Sequence, residues 1–565
     1  MKFTRILVLL ALTALPAAAQ APKNFAPHAM VAAANPLAAA AGLEMLKAHG
    51  SAVDAAIATQ LVLNLVEPES SGIGGGAFML VYDPQAKKTT SFDGREVAPQ
   101  SARPDMFLDA NGQPRAHFDP IPGGLSVGIP GVIGMLELAH DKYGKLPWAR
   151  LFEPAIRIAE NGFPIGPKLA RTIAGAARMK NMPDIARMFY HPDGSPMKEG
   201  EILKNPELAQ TFRVLAKGGA KAFYTGPIAQ AIVDAVQHAP GKNQGGMTMA
   251  DLAGFHAREL EPVCGDYRIW HLCSMGPPSS GGVAIVQILG MLQRFPSSDL
   301  KPNSLSETHL FTQASRLAYA DRAKYLGDAS VVAVPVQGLL DKTYIAGRAA
   351  LIDPARDMGT AEAGNPPQKH AQYAPQVSPE NHGTSHMTIV DENGEVIAMT
   401  TSVETTFGAE IMAKGFLLNN TLTDFSFQPV RNGQPVANAP APGKRPLSAM
   451  SPTIVFDRNG NFVLGIGSPG GPSIIDYVAQ SLVAILDGGL RPQEAISLPR
   501  HLNTNGGTTL ERSAWADQMA PQLIAMGHTI RNAGGEGSGL QVIEKVPGGY
   551  LGGADPRRDG VVVGD

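Results

Sequence analysis

From Thr384 to Val390 side chains alternate in a β-rich run, and Val396 to Ser402 repeats the pattern after Asp391, Asn393 and Gly394. Period-two alternation around an Asp/Asn/Gly turn predicts a β-hairpin. A turn centred near Asn393 sets Ser402 opposite Thr384, or one residue away if the register slips. Upstream, Asn35-Pro36 opens an alanine-rich helix that stops near Gly50, and Ser51-Ala-Val-Asp54 is a capping-box start for a second helix through about Leu65. A glycine-rich turn then leads into an apolar strand at Pro68–Asp83. Residues 145–235 read as helices broken at Pro and Gly, Gly254 to about Gly282 as a hairpin region ending in GPPSSGG, and Val283 to about Leu351 as helical again. Residues 352–383 lose apolar periodicity and are rich in Pro, Asn, Gln, Gly and Ala, the pattern of a loop. Strands are expected from there to Gly471, helix at 473–488, and strands and turns to the end. Phe425–Pro442 is a second Pro/Asn/Gly loop, placed to lie over a pocket. No repeat of fixed period is present.

The amino terminus has different chemistry. Lys2 and Arg5 precede an almost wholly apolar Ile6–Leu15 and the small residues Ala17-Ala18-Ala19, the pattern of a secretory signal cleaved after Ala19. The run is shorter than the roughly 20 residues a membrane span needs. An exported protein, in a bacterial periplasm and without a membrane anchor, is therefore expected over residues 20–565. Loss of Lys2 and Arg5 makes the formal charge of −3 more negative by two, and no basic block is left to bind nucleic acid or anionic lipid. An apolar content of 44% supports a large core. The two cysteines, Cys264 and Cys273, lie in PVCGDYRIWHLC. A two-residue turn at Arg268-Ile269 would make them a close cross-strand pair, so either a structural disulfide or two buried thiols fits, and export favours the disulfide.

The hairpin begins on a Gly383–Thr384 bond. A threonine hydroxyl needs a base to act as a nucleophile. An α-amino group, with a pKa of about 8, is one. A chain that cuts itself before Thr384 would supply that amine. The same hydroxyl can first attack the Gly383 carbonyl, which no side chain hinders, to give an ester that water opens. A Gly-Thr pair alone is equally the plain start of a strand.

The surrounding motifs resemble the gamma-glutamyltranspeptidase family of N-terminal nucleophile hydrolases. They are PESSGIGGGAFM (68–79), DGREVAP (93–99), GDYR (265–268), MGPPSSGG (275–282), the hairpin, LLNNTLTDFS (417–426), KRPLSAMSPT (444–453), GSPGG (467–471) and ADPRRDG (554–560). The resemblance implies an α+β fold, a four-layer αββα sandwich, built jointly by a large subunit 20–383 and a small subunit 384–565, with no metal or organic cofactor. It implies a γ-glutamyl hydrolase or transpeptidase acting on glutathione and related amides, with the acyl group passed to water, an amino acid or a dipeptide. Thr384 is then the nucleophile and Ser402 its supporting hydroxyl. The Gly470 and Gly471 amides form the oxyanion hole. Arg95 and Ser448 hold the substrate α-carboxylate, Asp424 receives its amine, and Glu404 and Thr421 stand nearby.

Three departures bear on substrate choice. Ala449 replaces a second carboxylate-binding serine, at a cost of about 1–3 kcal/mol if nothing substitutes. Thr421 is shorter than the family's usual residue, and the Phe425–Pro442 lid is short and lacks tyrosine. They leave open an amidase of the same fold for another acyl group, such as a glutaryl-type β-lactam side chain. An uncleaved envelope scaffold is a third reading. Other signals carry little. Gly72–Gly76 lacks dinucleotide-loop spacing and reads as tight backbone packing. Ile466 breaks the serine-hydrolase elbow at Ser468. His382 and His386, four apart but not on a helix, read as surface or core histidines. Arg95 and Asp424, taken without their motifs, read as a structural ion pair and a loop or cap residue.

Overall fold

The computed structural model describes residues 24–369, 371–376, 383–533 and 537–565; the signal segment and His382 lie outside them. The hairpin forms in the register set by its turn. Ser385 faces Thr401 and Val390 faces Val396, so Thr384 and Ser402 are the next pair. Asp391 closes the turn by accepting the Asn393 and Glu395 amides.

This hairpin is the centre of a seven-stranded antiparallel sheet. Ser385–Val390 pairs outward with Met30–Ala33 and then Val561–Gly564. Val396–Ser402 pairs with Gly76–Asp83, then Lys88–Gly94 and Arg258–Leu260. The second seven-stranded antiparallel sheet runs Phe25–Ala26, Gly549–Ala554, Gln541–Val546, Phe462–Gly467, Thr453–Phe456, Trp270–Ser274 and Val263–Tyr267. The sheets stack through Met30, Ala32, Leu80, Val396, Ala398, Ile454 and Ile543. Alternation sends Met387, Ile389, Ile397 and Met399 to the opposite face, against the helices Pro36–Lys47 and Ala52–Val66. The helices Gly281–Leu292, Leu305–Tyr325 and Ile474–Leu486 cover the second sheet. The result is the αββα sandwich expected from sequence. Each sheet interleaves strands from both sides of Gly383–Thr384, so the two halves share one core.

Local signals were read correctly in several places. Asn35 and Ser51 cap their helices, and Ser51 and Asp54 bond reciprocally. Helix Ala52–Val66 is buried on every face, as an all-round apolar helix must be. Cys264 pairs with Cys273 across the Arg268-Ile269 turn, and the two are disulfide-bonded. The carboxyl-terminal region differs from expectation. Helices Pro492–Ser497 and Ala514–Ala525 interrupt what read as strands and turns. The second carries an internal Pro521, which conceals the pattern, but the Ser513 side chain caps it. The Phe425–Pro442 loop holds a small hairpin, Val430–Arg431 with Gln434–Pro435. Among the described residues no helix is long and apolar enough to cross a membrane.

Asp54 does more than cap. Its Oδ2 accepts the backbone N–H groups of Ser51, Lys145 and Leu146 at 2.9, 3.0 and 2.9 Å. Asp54→Ala strands three backbone donors, one buried and two part-buried. Urea unfolding is expected to show a loss of about 3 kcal/mol or more.

Candidate active site

Gly383 lies where no other residue fits: a Cβ there would sit 2.1 Å from the Glu404 carbonyl oxygen. Thr384 follows with φ of +133°, a conformation that costs a β-branched residue about 1–3 kcal/mol. The scissile bond of the sequence reading is thus a strained junction. Two contacts fix it. The Thr384 Oγ1 and Ser402 Oγ are 3.0 Å apart, and Arg558 Nη1 donates to the Thr384 carbonyl at 2.9 Å. Ser402 Oγ also accepts the Glu404 N–H at 2.9 Å, which locks its orientation. The glycine-rich turn is the wall behind it: a Cβ on Gly75 would meet the Ser402 carbonyl at 2.0 Å.

Thr384, Ser402, Glu404, Asp424, Ser448 and Gly471 line one cleft, joined by Arg322, Gln376, Ala449 and Met450. In the intact chain that cleft measures only about 30 Å³, room for water but not for a peptide. Gly470 and Gly471 stand just before helix Ile474–Leu486, whose amino-terminal dipole favours developing negative charge.

Arg95 and Thr421 sit one layer out. Arg95 is fully buried; it pairs with Asp424 and donates to the Pro446 and Leu447 carbonyls, each at 3.2 Å. The structural ion pair therefore exists in the intact chain. Thr421 Oγ1 donates to Glu96 Oε1 at 2.7 Å rather than into the cleft, and Glu96 lies 3.4 Å from Arg95. Burial raises the Glu96 pKa, and Arg95 opposes the rise.

Sequence reading passed over Glu96, Arg322 and Arg558. Glu96 and Arg558 lie inside motifs it had singled out, DGREVAP and ADPRRDG. Arg322 belongs to none. It is buried on helix Leu305–Tyr325 and donates to Ser280 Oγ at 2.8 Å, which donates in turn to the Ser448 carbonyl at 2.6 Å. Burial pulls its pKa below the usual arginine value.

Residues 38–565 match the model of the gamma-glutamyltranspeptidase family. The chain belongs to that family. It is 38% identical over 546 residues to a glutathione hydrolase proenzyme of Bacillus subtilis (strain 168), covering 95% of this chain and 91% of the relative. It is 37% identical over 543 residues to that of Escherichia coli (strain K12), at 94% and 91% coverage. An acylase ACY 1 proenzyme of Pseudomonas sp. (strain SE83) is 32% identical over 535 residues, at 93% and 91% coverage. Among solved structures, a cephalosporin acylase from Bacillus halodurans superposes with a TM-score of 0.83 and 29% identity over 99% of both chains. The gamma-glutamyltranspeptidase of Helicobacter pylori gives 0.55 and 33% identity, over 59% of this chain and 93% of its own. The transpeptidase relatives and the acylases thus share one fold.

The strand that carries Thr384 is braced on both faces. On the helix side, Ser385 Oγ donates to Glu67 Oε2 at 2.6 Å, and Lys168 Nζ reaches Glu67 at 3.0 Å and Ser70 at 2.7 Å. On the sheet side, His386 is fully buried between Thr400 Oγ1 at 2.9 Å and Thr388 Oγ1 at 3.2 Å. Of the two expectations, surface or core histidine, it is the core one. Burial pulls its imidazole down to about 3. The unfolded chain takes up that proton near pH 6.5 and the folded chain does not. Stability is therefore complete above pH 6.5 and falls as pH drops toward 3, by up to about 1.4 kcal/mol per pH unit. His386→Gln should flatten the slope of urea midpoint against pH across that window; an unchanged slope would contradict the assignment.

Proposed function

We propose that Thr384 first cuts its own chain and then serves as the nucleophile of a γ-glutamyl hydrolase or transpeptidase. Its Oγ1 attacks the Gly383 carbonyl, the peptide nitrogen becomes an amine, and the resulting ester is opened by water. The products are residues 20–383 and 384–565, held together by shared sheets, from an exported precursor whose first 19 residues are removed. The freed α-amine is then the base. It takes the Thr384 hydroxyl proton as Oγ1 attacks the γ-amide carbonyl of glutathione or a similar donor, and returns the proton to the leaving amine. The oxyanion is held by the Gly470 and Gly471 amides. Water, an amino acid or a dipeptide takes the acyl group from Thr384. Asp424 and Glu404 receive the donor ammonium. Ser448 receives its carboxylate, and Arg95, already braced by two carbonyls, adds charge behind it. The residues in these roles need no metal or organic cofactor.

The observation that carries this reading is the buried 3.0 Å Thr384–Ser402 hydroxyl pair at a strained Gly-Thr junction. Sequencing of the smaller fragment should begin Thr-Ser-His-Met. Thr384→Ala should abolish both splitting and turnover. Ser402→Ala, which removes one hydrogen bond, should slow both by about tenfold. A single full-length band in aged wild-type protein would restore the scaffold reading.

A second reading keeps the fold and changes the acyl group. It is favoured by Ala449, by Thr421 turning its hydroxyl to Glu96, and by likeness to the acylases. Side-by-side assays separate the two. The kcat/KM for γ-glutamyl-p-nitroanilide should exceed that for glutaryl-p-nitroanilide by about tenfold or more, since the latter lacks the ammonium that Asp424 and Glu404 would pair. The reverse order would give the enzyme to the second reading.

A further inference from the structure

The hairpin Val263–Tyr267 and Trp270–Ser274 places two cross-strand pairs side by side: Cys264 with Cys273, and Asp266 with His271. Spacing of two along each strand puts all four side chains on one face. His271 Nδ1 is 2.9 Å from Asp266 Oδ1, and its Nε2 is 3.7 Å from Cys273 Sγ. A carboxylate thus orients an imidazole whose other nitrogen meets one sulfur of a disulfide. The two sulfurs differ. Cys273 is buried, whereas Cys264 is partly exposed. Both line a cavity of about 790 Å³ that also carries Lys87, Lys88, Lys342 and Arg458 against Glu261, Asp266 and Asp457, while Arg268 at its edge is paired with Asp487. That space admits a tripeptide-sized molecule, and the charge balance favours an acidic one.

We propose that Cys264–Cys273 is a thiol–disulfide exchange site for small acidic thiols, separate from the Thr384 cleft. A thiolate entering the cavity attacks the sulfur of the partly exposed Cys264. The Sγ–Sγ bond breaks, a mixed disulfide forms on Cys264, and the electron pair leaves on Cys273. The His271 Nε2, which faces that sulfur, donates a proton to it, while Asp266 holds the ring through Nδ1. A second thiolate attacks the mixed disulfide and releases an oxidised small disulfide and a Cys264 thiolate. Two thiols are oxidised and the protein disulfide is reduced to a dithiol. A small disulfide runs the sequence backward. The exchange rate rises as the leaving thiol becomes more acidic, which is the contribution of His271. Asp266 is a positioning residue.

The test uses the full chain carrying Thr384→Ala, so that glutathione is not consumed as a γ-glutamyl donor. Folded protein is incubated with millimolar reduced glutathione, quenched with iodoacetamide and mapped by mass spectrometry. A glutathione adduct on Cys264 and two alkylated cysteines are expected, with 2-mercaptoethanol reacting more slowly at equal thiolate concentration. His271→Ala should slow exchange by about tenfold, and Asp266→Asn by less, with γ-glutamyl turnover in the Thr384 chain unchanged. A disulfide that opens only on unfolding, an adduct confined to Cys273, or a His271→Ala rate equal to wild type would overturn the proposal. None of these results touches the reading of Thr384.

Discussion

The register of one hairpin governs the site. Because side chains alternate with a period of two, a slip of one residue would send the Thr384 side chain to the helix-facing side and leave Ser402 without its partner. Asp391 prevents the slip by accepting two turn amides. The pairing then runs unbroken from Val390–Val396 to Ser385–Thr401. Thr384 and Ser402 emerge together between the two sheets, at the point where Gly75 and Gly383 leave no room for a side chain. Everything chemical in the candidate site is positioned relative to that pair.

The same interleaving decides what a cut can do. Met30–Ala33 and Gly76–Asp83 flank the hairpin, and Trp270–Ser274 pairs with Thr453–Phe456. A break at Gly383–Thr384 would sever one covalent bond, and none of these ladder hydrogen bonds runs through it. It would also free Thr384 from the junction that holds it at positive φ. Strain at the junction is tolerable because the surrounding core fixes both of its sides.

Legibility in the sequence followed locality. The hairpin register, the Ser51–Asp54 cap and the Cys264–Cys273 pairing were readable because turn residues and period-two alternation act over a few positions. The carboxyl-terminal helix Ala514–Ala525 was not, because Pro521 breaks the visible pattern while tertiary packing of Met519 and Leu523 sustains the helix. Of the six cleft residues, Thr384 and Ser402 followed from the hairpin, whereas Glu404, Asp424, Ser448 and Gly471 came from motif resemblance. Arg322 escaped both routes. It lies on a helix with charged and apolar residues buried alike, so no periodicity marks it, and only the fold brings it beside Ser280 and Ser448.

Electrostatics of the inner layer bear on the choice between acyl groups. Arg95 is shared among Asp424, Glu96 and two carbonyls, and Glu404 adds a further acid beside it. A buried arginine already so occupied attracts a second carboxylate less than a free one would, whereas the acids at the cleft face still gain from a cation. A γ-glutamyl donor brings that cation next to its carboxylate and so presents a near-neutral head to the layer. A glutaryl group would bring a carboxylate alone, against Asp424 and Glu404. On the proposed binding mode Ala449 offers no hydroxyl to the carboxylate of either acyl group, so it would not change this ordering. On that binding mode the charge pattern favours the amino-bearing donor.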